Sequence, residues 1–184
     1  MLQNIPNTYR LRQEEHLQGA QMPAPVSREP LGVLMISYMS DGLEKALSNL
    51  NSYPFIFYGK QFTSMEGFLQ SQKTSNVVVQ EKFATLFGIE AWQEGQKYND
   101  WKDTQILSAR GRSFFRDSGE YQVLLCQSYD ALFHYSEELR NALYASLPFA
   151  LDHDGKTDIR DSVLTKHEYL FQLYRLRAKL AYPP

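Results

Sequence analysis

Apolar residues along the chain follow a strand-like pattern first and a helical pattern afterwards. The apolar run at residues 31–38, bounded by Pro30 and Ser40, predicts a buried strand. Two short runs at residues 55–58 and 61–63, separated by Gly59 and Lys60, predict a hairpin with Gly59 at its turn. The N-terminal part of the domain is therefore predicted to carry a small β-sheet.

From residue 63 onward the apolar positions recur at helical spacing. Thr63 and Glu66 stand three residues apart, as in a capping box, and predict a helix start. Asn76 is predicted to cap a helix that runs to residue 87 and stops at Gly88. Further helices are predicted at residues 101–110, 118–133, 136–145 and 162–180, with 148–160 as the longest late connection.

These elements describe one domain of the α+β class. It is predominantly helical, with a small β-sheet and hairpin near its N-terminal side. Residues 1–30 are polar, carry Pro23, Pro25 and Pro30, and are predicted to be an extension outside the core, so that residues 31–184 form the domain. A chain of 184 residues suits this organisation.

Composition narrows the classes of function. The chain is 43% apolar and 22% charged, which is typical of a globular protein. Its net charge of −2 argues against non-specific binding to a nucleic-acid backbone. A single cysteine, Cys126, excludes an intrachain disulfide and favours a reducing, cytoplasmic setting. No apolar stretch approaches the roughly 20 residues of a membrane span, so no membrane partner is expected.

Three polar side chains on the first predicted helix form a candidate site. At about 100° per residue, Glu66, Gln70 and Lys73 fall within a stripe of roughly 60°. A carboxyl group and an amine two turns apart are the acid–base pair that cleavage of a glycosidic bond requires. Two other interpretations stay open at this point, since Glu66 at the third position of a capping box is explained by capping, and such a stripe is also typical of a solvated face.

The same segment carries a motif that resembles a known family. Residues 48–50 (SNL), Pro54, Gly59 and residues 64–73 (SMEGFLQSQK) follow the order LSNF, Pro, hairpin Gly and S-x-EH-x-x-QAQK of the YbiA-like (NADAR) family. Residues 109–112 (ARGR) and the arrangement of residues 132–145 and 173–177 are similar to later family elements. The resemblance covers about residues 37–180.

The resemblance implies hydrolysis of an N-glycosidic bond without a cofactor or metal. The implied substrates are a ribosylamino-pyrimidine phosphate, a small nucleotide-sugar, or ADP-ribosylated guanine in nucleic acid. By the same resemblance, Lys73 would form a Schiff base with the sugar C1 and Glu66 would move protons.

Further site residues follow from the resemblance position by position. Asn49 would bind the ligand or hold its loop, and Gln70 would position the sugar or the base. Arg112 would bind a phosphate, and Asp158 would polarise the sugar hydroxyls. Asp152, His153 and Asp154, close to Asp158 in sequence, lack the remaining positions of a calcium loop and are interpreted as a turn.

Departures from the family pattern support a rival interpretation. Gly67 stands where the family has a histidine, and the late glycines of the family are replaced near Asp161 and around residues 165–170. The rival is a catalytically inactive module that binds a nucleotide-sugar or a partner protein.

Overall fold

The computed structural model describes residues 30–181, in which helices predominate. The helices are α1 (Gly42–Ala46), α2 (Met65–Ser71), α3 (Val77–Thr85), α4 (Gly88–Gly95), α5 (Trp101–Thr104), α6 (Gly119–Tyr135), α7 (Glu137–Ala145) and α8 (Lys166–Ala181). The strands are β1 (Val33–Ile36), β2 (Phe55–Phe57), β3 (Lys60–Phe62), β4 (Ile106–Ala109), β5 (Arg112–Phe115) and β6 (Ala150–His153). The predicted α+β class is confirmed, while the predicted extension falls almost wholly outside the described residues.

The strands form three separate pairs rather than one sheet. β1 pairs with β6 in parallel, with Val33 opposite Ala150 and Ile36 opposite His153. This pairing joins segments that lie more than 100 residues apart in the sequence. It also corrects the predicted burial of residues 31–38, because Val33 and Met35 are exposed on one face while Leu34 and Ile36 enter the core.

The first hairpin forms as predicted. β2 and β3 are antiparallel, with Phe57 opposite Lys60. The two turn residues, Tyr58 and Gly59, both have positive φ angles, of 51° and 77°. Two consecutive residues of this kind define the hairpin turn whose twist matches that of the strands.

A second hairpin replaces most of the helix predicted at residues 101–110. α5 ends after one turn because Gln105 adopts the left-handed conformation, with φ 55°. β4 and β5 then pair around Arg110 and Gly111, which also have positive φ. Within residues 106–109, Leu107 and Ser108 are both buried, so burial does not alternate, and four residues were too few to distinguish a strand from a helix by sequence.

Two other helix boundaries differ from the prediction. α3 is capped by Asn76 as expected, yet it ends at Thr85, and Gly88 begins α4 instead of stopping α3. A Cβ at Gly88 would lie 2.1 Å from the carbonyl oxygen of Leu50, so glycine is required for the approach of these two backbones. α8 begins at Lys166, four residues later than predicted.

The core is built around α6 and α2. Tyr121, Leu125, Tyr129 and Leu132 recur along α6 at helical spacing and are all buried. Every residue of α2 is buried as well, because α3, α4 and α6 pack against it. None of the helices among residues 30–181 combines the length and the apolar composition that a bilayer span requires.

Candidate functional site

A cavity of about 480 Å³ opens beside the buried helix α2. Its wall is formed by residues 37–39 after β1, residues 48–50 after α1, the polar side of α2, residues 92–102, residues 153–156 after β6, and residues 161–169 at the start of α8. Asn49, Glu66, Gln70 and Lys73 all line this cavity. Four of the six side chains named by the sequence are therefore brought together.

Ser64, rather than Thr63, caps α2. The Ser64 Oγ accepts a hydrogen bond of 3.0 Å from the Gly67 amide. Glu66 is consequently the second residue of the helix, and its carboxyl group takes no part in a capping box. The prediction of the helix start was correct within one residue, but the capping explanation of Glu66 was wrong.

Glu66 is a buried carboxyl group, only 8% exposed. Gln70 lies one turn further along α2, and its Nε2 donates a hydrogen bond of 2.6 Å to Glu66 Oε1. Burial raises the pKa of Glu66, and this effect outweighs the opposing effects of Gln70 and of the positive charge on Lys73. The interpretation of the stripe as a solvated face is therefore also wrong for Glu66 and Gln70.

Lys73 follows the end of α2, two residues beyond its last helical residue. Its Nζ donates a hydrogen bond of 3.0 Å to the carbonyl oxygen of Gly95, at the end of α4. Burial lowers the pKa of Lys73 to about 8, with further lowering from Lys102 and Lys156, while Glu66 acts in the opposite direction. A substantial fraction of the Lys73 amine is thus neutral near physiological pH.

Gly95 contacts the side chains of both Lys73 and Gln70. A Cβ at this position would lie 1.9 Å from Gln70 Oε1, so the amide of Gln70 packs directly on the Gly95 backbone. Within the described residues, Gln70 Oε1 accepts no hydrogen bond. An unsatisfied buried oxygen is costly, and this one stays without a partner where the Gln70 amide packs on Gly95.

A hydrogen bond from a residue of α6 holds the side chain of Asn49. Its Oδ1 accepts a hydrogen bond of 2.9 Å from the hydroxyl of Tyr129. Burial raises the pKa of Tyr129 well above its ordinary value, which keeps this hydroxyl a donor. The Asn49 amide nitrogen is left for other partners.

Arg112 and Asp158 do not line the cavity. Arg112 lies on β5 with its side chain 77% exposed, 3.4 Å from Glu120, and faces a separate groove. Asp158 is exposed, and its Oδ1 accepts a hydrogen bond from the Arg160 amide within its own loop. Neither side chain therefore contacts the four predicted side chains that line the cavity.

Arg116 is a structural residue that the sequence pattern did not reveal. It is fully buried, and its guanidinium forms two hydrogen bonds with the Glu168 carboxylate, of 2.9 and 2.5 Å. Its Nε donates a third, of 2.7 Å, to the carbonyl oxygen of Ser162 in the cavity wall. Arg116 therefore joins the first turn of α8 to the loop that precedes it and positions that wall.

Several further side chains line the cavity without having been assigned to it from the sequence. Trp92 is 46% exposed and offers an aromatic face at one side. His153 accepts a hydrogen bond of 2.8 Å from the Gly155 amide at Nδ1, and burial lowers its pKa, so its ring is a neutral one. Lys102 and Lys156 add two ammonium groups. No local spacing relates these residues to Glu66, so sequence periodicity could not find them.

Gly67 faces away from the cavity. A Cβ there would lie 2.6 Å from the Phe83 carbonyl oxygen on α3. A histidine on this backbone would collide with α3 instead of reaching a ligand. The departure at Gly67 thus reflects the close packing of α2 on α3, and it does not remove a group from this cavity.

Among residues 30–181, no group of three or more His, Cys, Asp or Glu side chains is arranged to hold a metal ion. Asp152 instead pairs with Lys166 at 2.6 Å and also accepts a hydrogen bond from the His153 amide. Asp152 thus lies on β6 rather than in the predicted turn, and it pairs with the first residue of α8.

Comparison with known proteins gives a consistent result. The sequence model of a family described as bacteriophage protein GP30.3 matches residues 43–178. An uncharacterized 17.1 kDa protein of Enterobacteria phage T4, from the Gp30-rIII intergenic region, is 34% identical over 137 residues, which are 73% of this chain and 90% of that protein.

The structural comparison bears on the fold. The NMR structure of the E. coli protein YbiA covers 84% of this chain and 88% of its own, with a TM-score of 0.57 and 19% identity. At this identity the likeness concerns the fold alone, and it confirms the YbiA-like resemblance at that level.

Proposed function

The chain belongs to the bacteriophage protein GP30.3 family, and from the chemistry of its cavity we propose that it is an N-glycosidase. The bond that it hydrolyses is the N-ribosyl bond of a nucleotide-like substrate, in which an exocyclic amine carries the ribose. Lys73 is the nucleophile, and Glu66 is the acid and base.

One observation carries this proposal: a buried carboxyl group and a half-buried amine line one cavity with pKa values shifted towards their neutral forms. Burial causes both shifts, and it outweighs the mutual attraction of the charged forms. A neutral amine is a nucleophile and a protonated carboxyl group is an acid, so the pair is prepared for covalent catalysis. The two groups titrate as a pair, so the pH dependence of activity will report both.

The first step is attack on the opened sugar. A ribose attached through an exocyclic amine opens its ring to an imine between that nitrogen and C1. The neutral Lys73 amine adds to C1 and forms a new C–N bond, while the π bond of the imine breaks and a proton of the amine passes to the nitrogen of the base. C1 is then bonded to two nitrogens. Glu66 donates its proton to the nitrogen of the base, the bond from this nitrogen to C1 breaks, and the base departs as its free amine.

The second step releases the sugar. The Lys73 nitrogen and C1 remain joined as a protonated Schiff base. Water adds to C1 while the Glu66 carboxylate accepts a proton, and the C–N bond to Lys73 then breaks. The products are the free base amine, the ribose aldehyde and the regenerated Lys73 amine. One water molecule is consumed, as hydrolysis requires.

Gln70 and Asn49 act as positioning residues in this scheme. Gln70 orients Glu66 through its 2.6 Å hydrogen bond. Asn49, held by Tyr129, offers its amide nitrogen to the same ligand. A volume of about 480 Å³ suits a nucleotide-sized ligand, and the face of Trp92 suits a flat base.

The test compares the protein with its Lys73→Ala and Lys97→Ala variants. Lys97 is an exposed lysine paired with Glu94 and serves as the matched control. The substrates are a ribosylamino-pyrimidine phosphate and DNA that carries ADP-ribosylated guanine, and released base and sugar are measured by mass spectrometry. We expect turnover of one substrate by the wild type and by Lys97→Ala, and none by Lys73→Ala.

Borohydride reduction tests the covalent step. A sugar adduct on the peptide that contains Lys73, formed only with active protein and substrate, is the expected result. Turnover without any trapped adduct would contradict the Schiff base. Retained ligand binding without turnover of either substrate would favour the catalytically inactive binding module instead.

A further inference from the structure

Lysine side chains converge on the cavity from separate parts of the fold. Lys73 follows α2, Lys102 lies on α5, and Lys156 lies in the loop after β6. The approach of Lys102 and Lys156 is close enough that both positive charges lower the pKa of Lys73. Like charges repel, so this convergence destabilises the folded protein unless a negative charge lies between them.

The carboxylates of the described chain neutralise this cluster only in part, although Asp154 and Asp161 also line the cavity. Lys156 forms no ion pair among residues 30–181, and Lys102 has only a long contact of 3.4 Å with the exposed Asp161. Glu66, the carboxyl group nearest to Lys73, is shifted towards its neutral form by burial. Ion pairs among residues 30–181 therefore leave Lys73 and Lys156 unpaired at the cavity, in a chain whose net charge is −2.

From this convergence we propose that Lys102 and Lys156 form an anion subsite beside Lys73, and that it binds the phosphate of a phosphorylated ribosyl substrate. The identity of this substrate rests on the proposed function, whereas the anion subsite is a property of the cavity itself. The subsite takes over the role expected for Arg112, whose side chain lies in a different groove. Two mobile ammonium groups act on a phosphate as point charges, without the paired geometry that a guanidinium would impose.

A bound phosphate would also raise the pKa of Lys73, the proposed nucleophile. Neutralising the charges of Lys102 and Lys156 removes their lowering effect on the pKa of Lys73. Phosphate binding therefore makes Lys73 easier to protonate, and by linkage a protonated Lys73 binds phosphate more tightly. The sugar phosphate should consequently bind more tightly as the pH falls through about 8.

The experiment measures the affinity for ribose 5-phosphate and for ribose by calorimetry, without any turnover. Wild type, Lys102→Gln, Lys156→Gln and the control Lys97→Gln are compared at low ionic strength. We expect ribose 5-phosphate to bind better than ribose, and each cavity variant to lose about 10-fold in affinity for the phosphate, while the control is unchanged. ADP-ribose is the second phosphate probe, and it distinguishes a diphosphate from a sugar monophosphate.

Labelling of Lys73 supplies an independent readout. Because each cavity lysine lowers the pKa of Lys73, removing its charge should raise that pKa and slow acylation of Lys73 at pH 7.5, whereas a variant that merely loosened the site would not. Equal affinity for ribose and both phosphates, or full phosphate affinity in both variants, would overturn the proposal. Phosphate binding as described in a protein without turnover would leave the subsite standing and remove only the N-glycosidase.

Discussion

Lys73 is expected to react as a neutral amine at a pH where an ordinary lysine is almost fully protonated. With its pKa lowered to about 8 by burial, about a quarter of the Lys73 amines are neutral at pH 7.5. A lysine with the ordinary value of 10.5 is neutral in about one molecule in a thousand. The neutral fraction of Lys73 is therefore larger by a factor of about 200.

Part of this advantage is lost because a less basic amine is also a weaker nucleophile. With a Brønsted slope of about 0.5, as measured for thiols, the loss is roughly 10- to 20-fold. The net gain in the rate of acylation at pH 7.5 should therefore be about 10-fold, before half-burial slows the reagent. The pH at the midpoint of labelling does not depend on this correction, and it is the quantity to measure.

The assay is trace acylation with acetic anhydride between pH 6 and 11, followed by mass spectrometry of the peptides. Lys97 is the internal reference, since it is exposed and the Glu94 carboxylate raises its pKa. Lys73 should reach half-maximal labelling near pH 8, and Lys97 above pH 10. In Glu66→Gln the midpoint for Lys73 should fall further, because the Glu66 carboxylate acts to raise it.

A single outcome would refute the reasoning. If Lys73 titrated together with Lys97, burial would not control its charge, and the proposed nucleophile would be protonated at physiological pH. A midpoint near 8 that stayed unchanged in Glu66→Gln would leave Lys73 as the nucleophile and contradict its coupling to Glu66.

Three further predictions follow from the same part of the fold. Gly95→Ala should cost about 1–3 kcal/mol in the free energy of unfolding, measured with urea, because the new Cβ would lie 1.9 Å from Gln70 Oε1. Ser64→Ala should cost about 1 kcal/mol and Thr63→Ala much less, since the cap of α2 is Ser64. Lys73→Met should raise the melting temperature at pH 6.5 and should lose this advantage above pH 10.5, where the lysine is neutral in both states.

The first two of these predictions have a control variant, and the third is checked by the sign of its pH dependence. Gly119→Ala places a Cβ in open space at the start of α6 and should leave stability nearly unchanged. A larger loss in Thr63→Ala than in Ser64→Ala would show that α2 begins one residue earlier than described. For Lys73, the sign follows from linkage: its pKa lies below the ordinary value, so the stability of the folded protein falls as the pH drops from 10.5 to about 8, and the full loss is present below about 8.

The sequence predicted those elements whose signals are local. Asn76 caps the helix that it was predicted to cap, and Ser118 and Ser136 lie where helices were predicted to begin. All three side chains accept hydrogen bonds from amides at the helix start. The hairpin at Gly59 was also predicted from a local signal, because its turn requires positive φ angles. The parallel pairing of β1 with β6 joins segments more than 100 residues apart, and no local signal specifies it.

For the candidate site, the sequence predicted what a short motif can hold. Asn49, Glu66, Gln70 and Lys73 lie within 25 residues of one another and line one cavity. The remainder of the wall comes from α4, α5 and the segment before α8. Those contacts depend on how the helices pack, so the role of Gly95 and the approach of Lys102 and Lys156 became visible only in three dimensions.

The placement of Glu66 and Gln70 also bears on whether the cavity catalyses or only binds. Met65, Phe68 and Leu69 already anchor α2 in the core, so the fold itself does not need a buried carboxyl group beside an amide with an unsatisfied oxygen. Such groups reduce stability, and proteins retain them where function depends on them. A binding module gains little from an amine whose pKa is lowered to about 8, because a charged lysine binds a phosphate better. A nucleophile requires the neutral amine, and the cost of burying Lys73 beside Glu66 is therefore better explained by turnover than by binding.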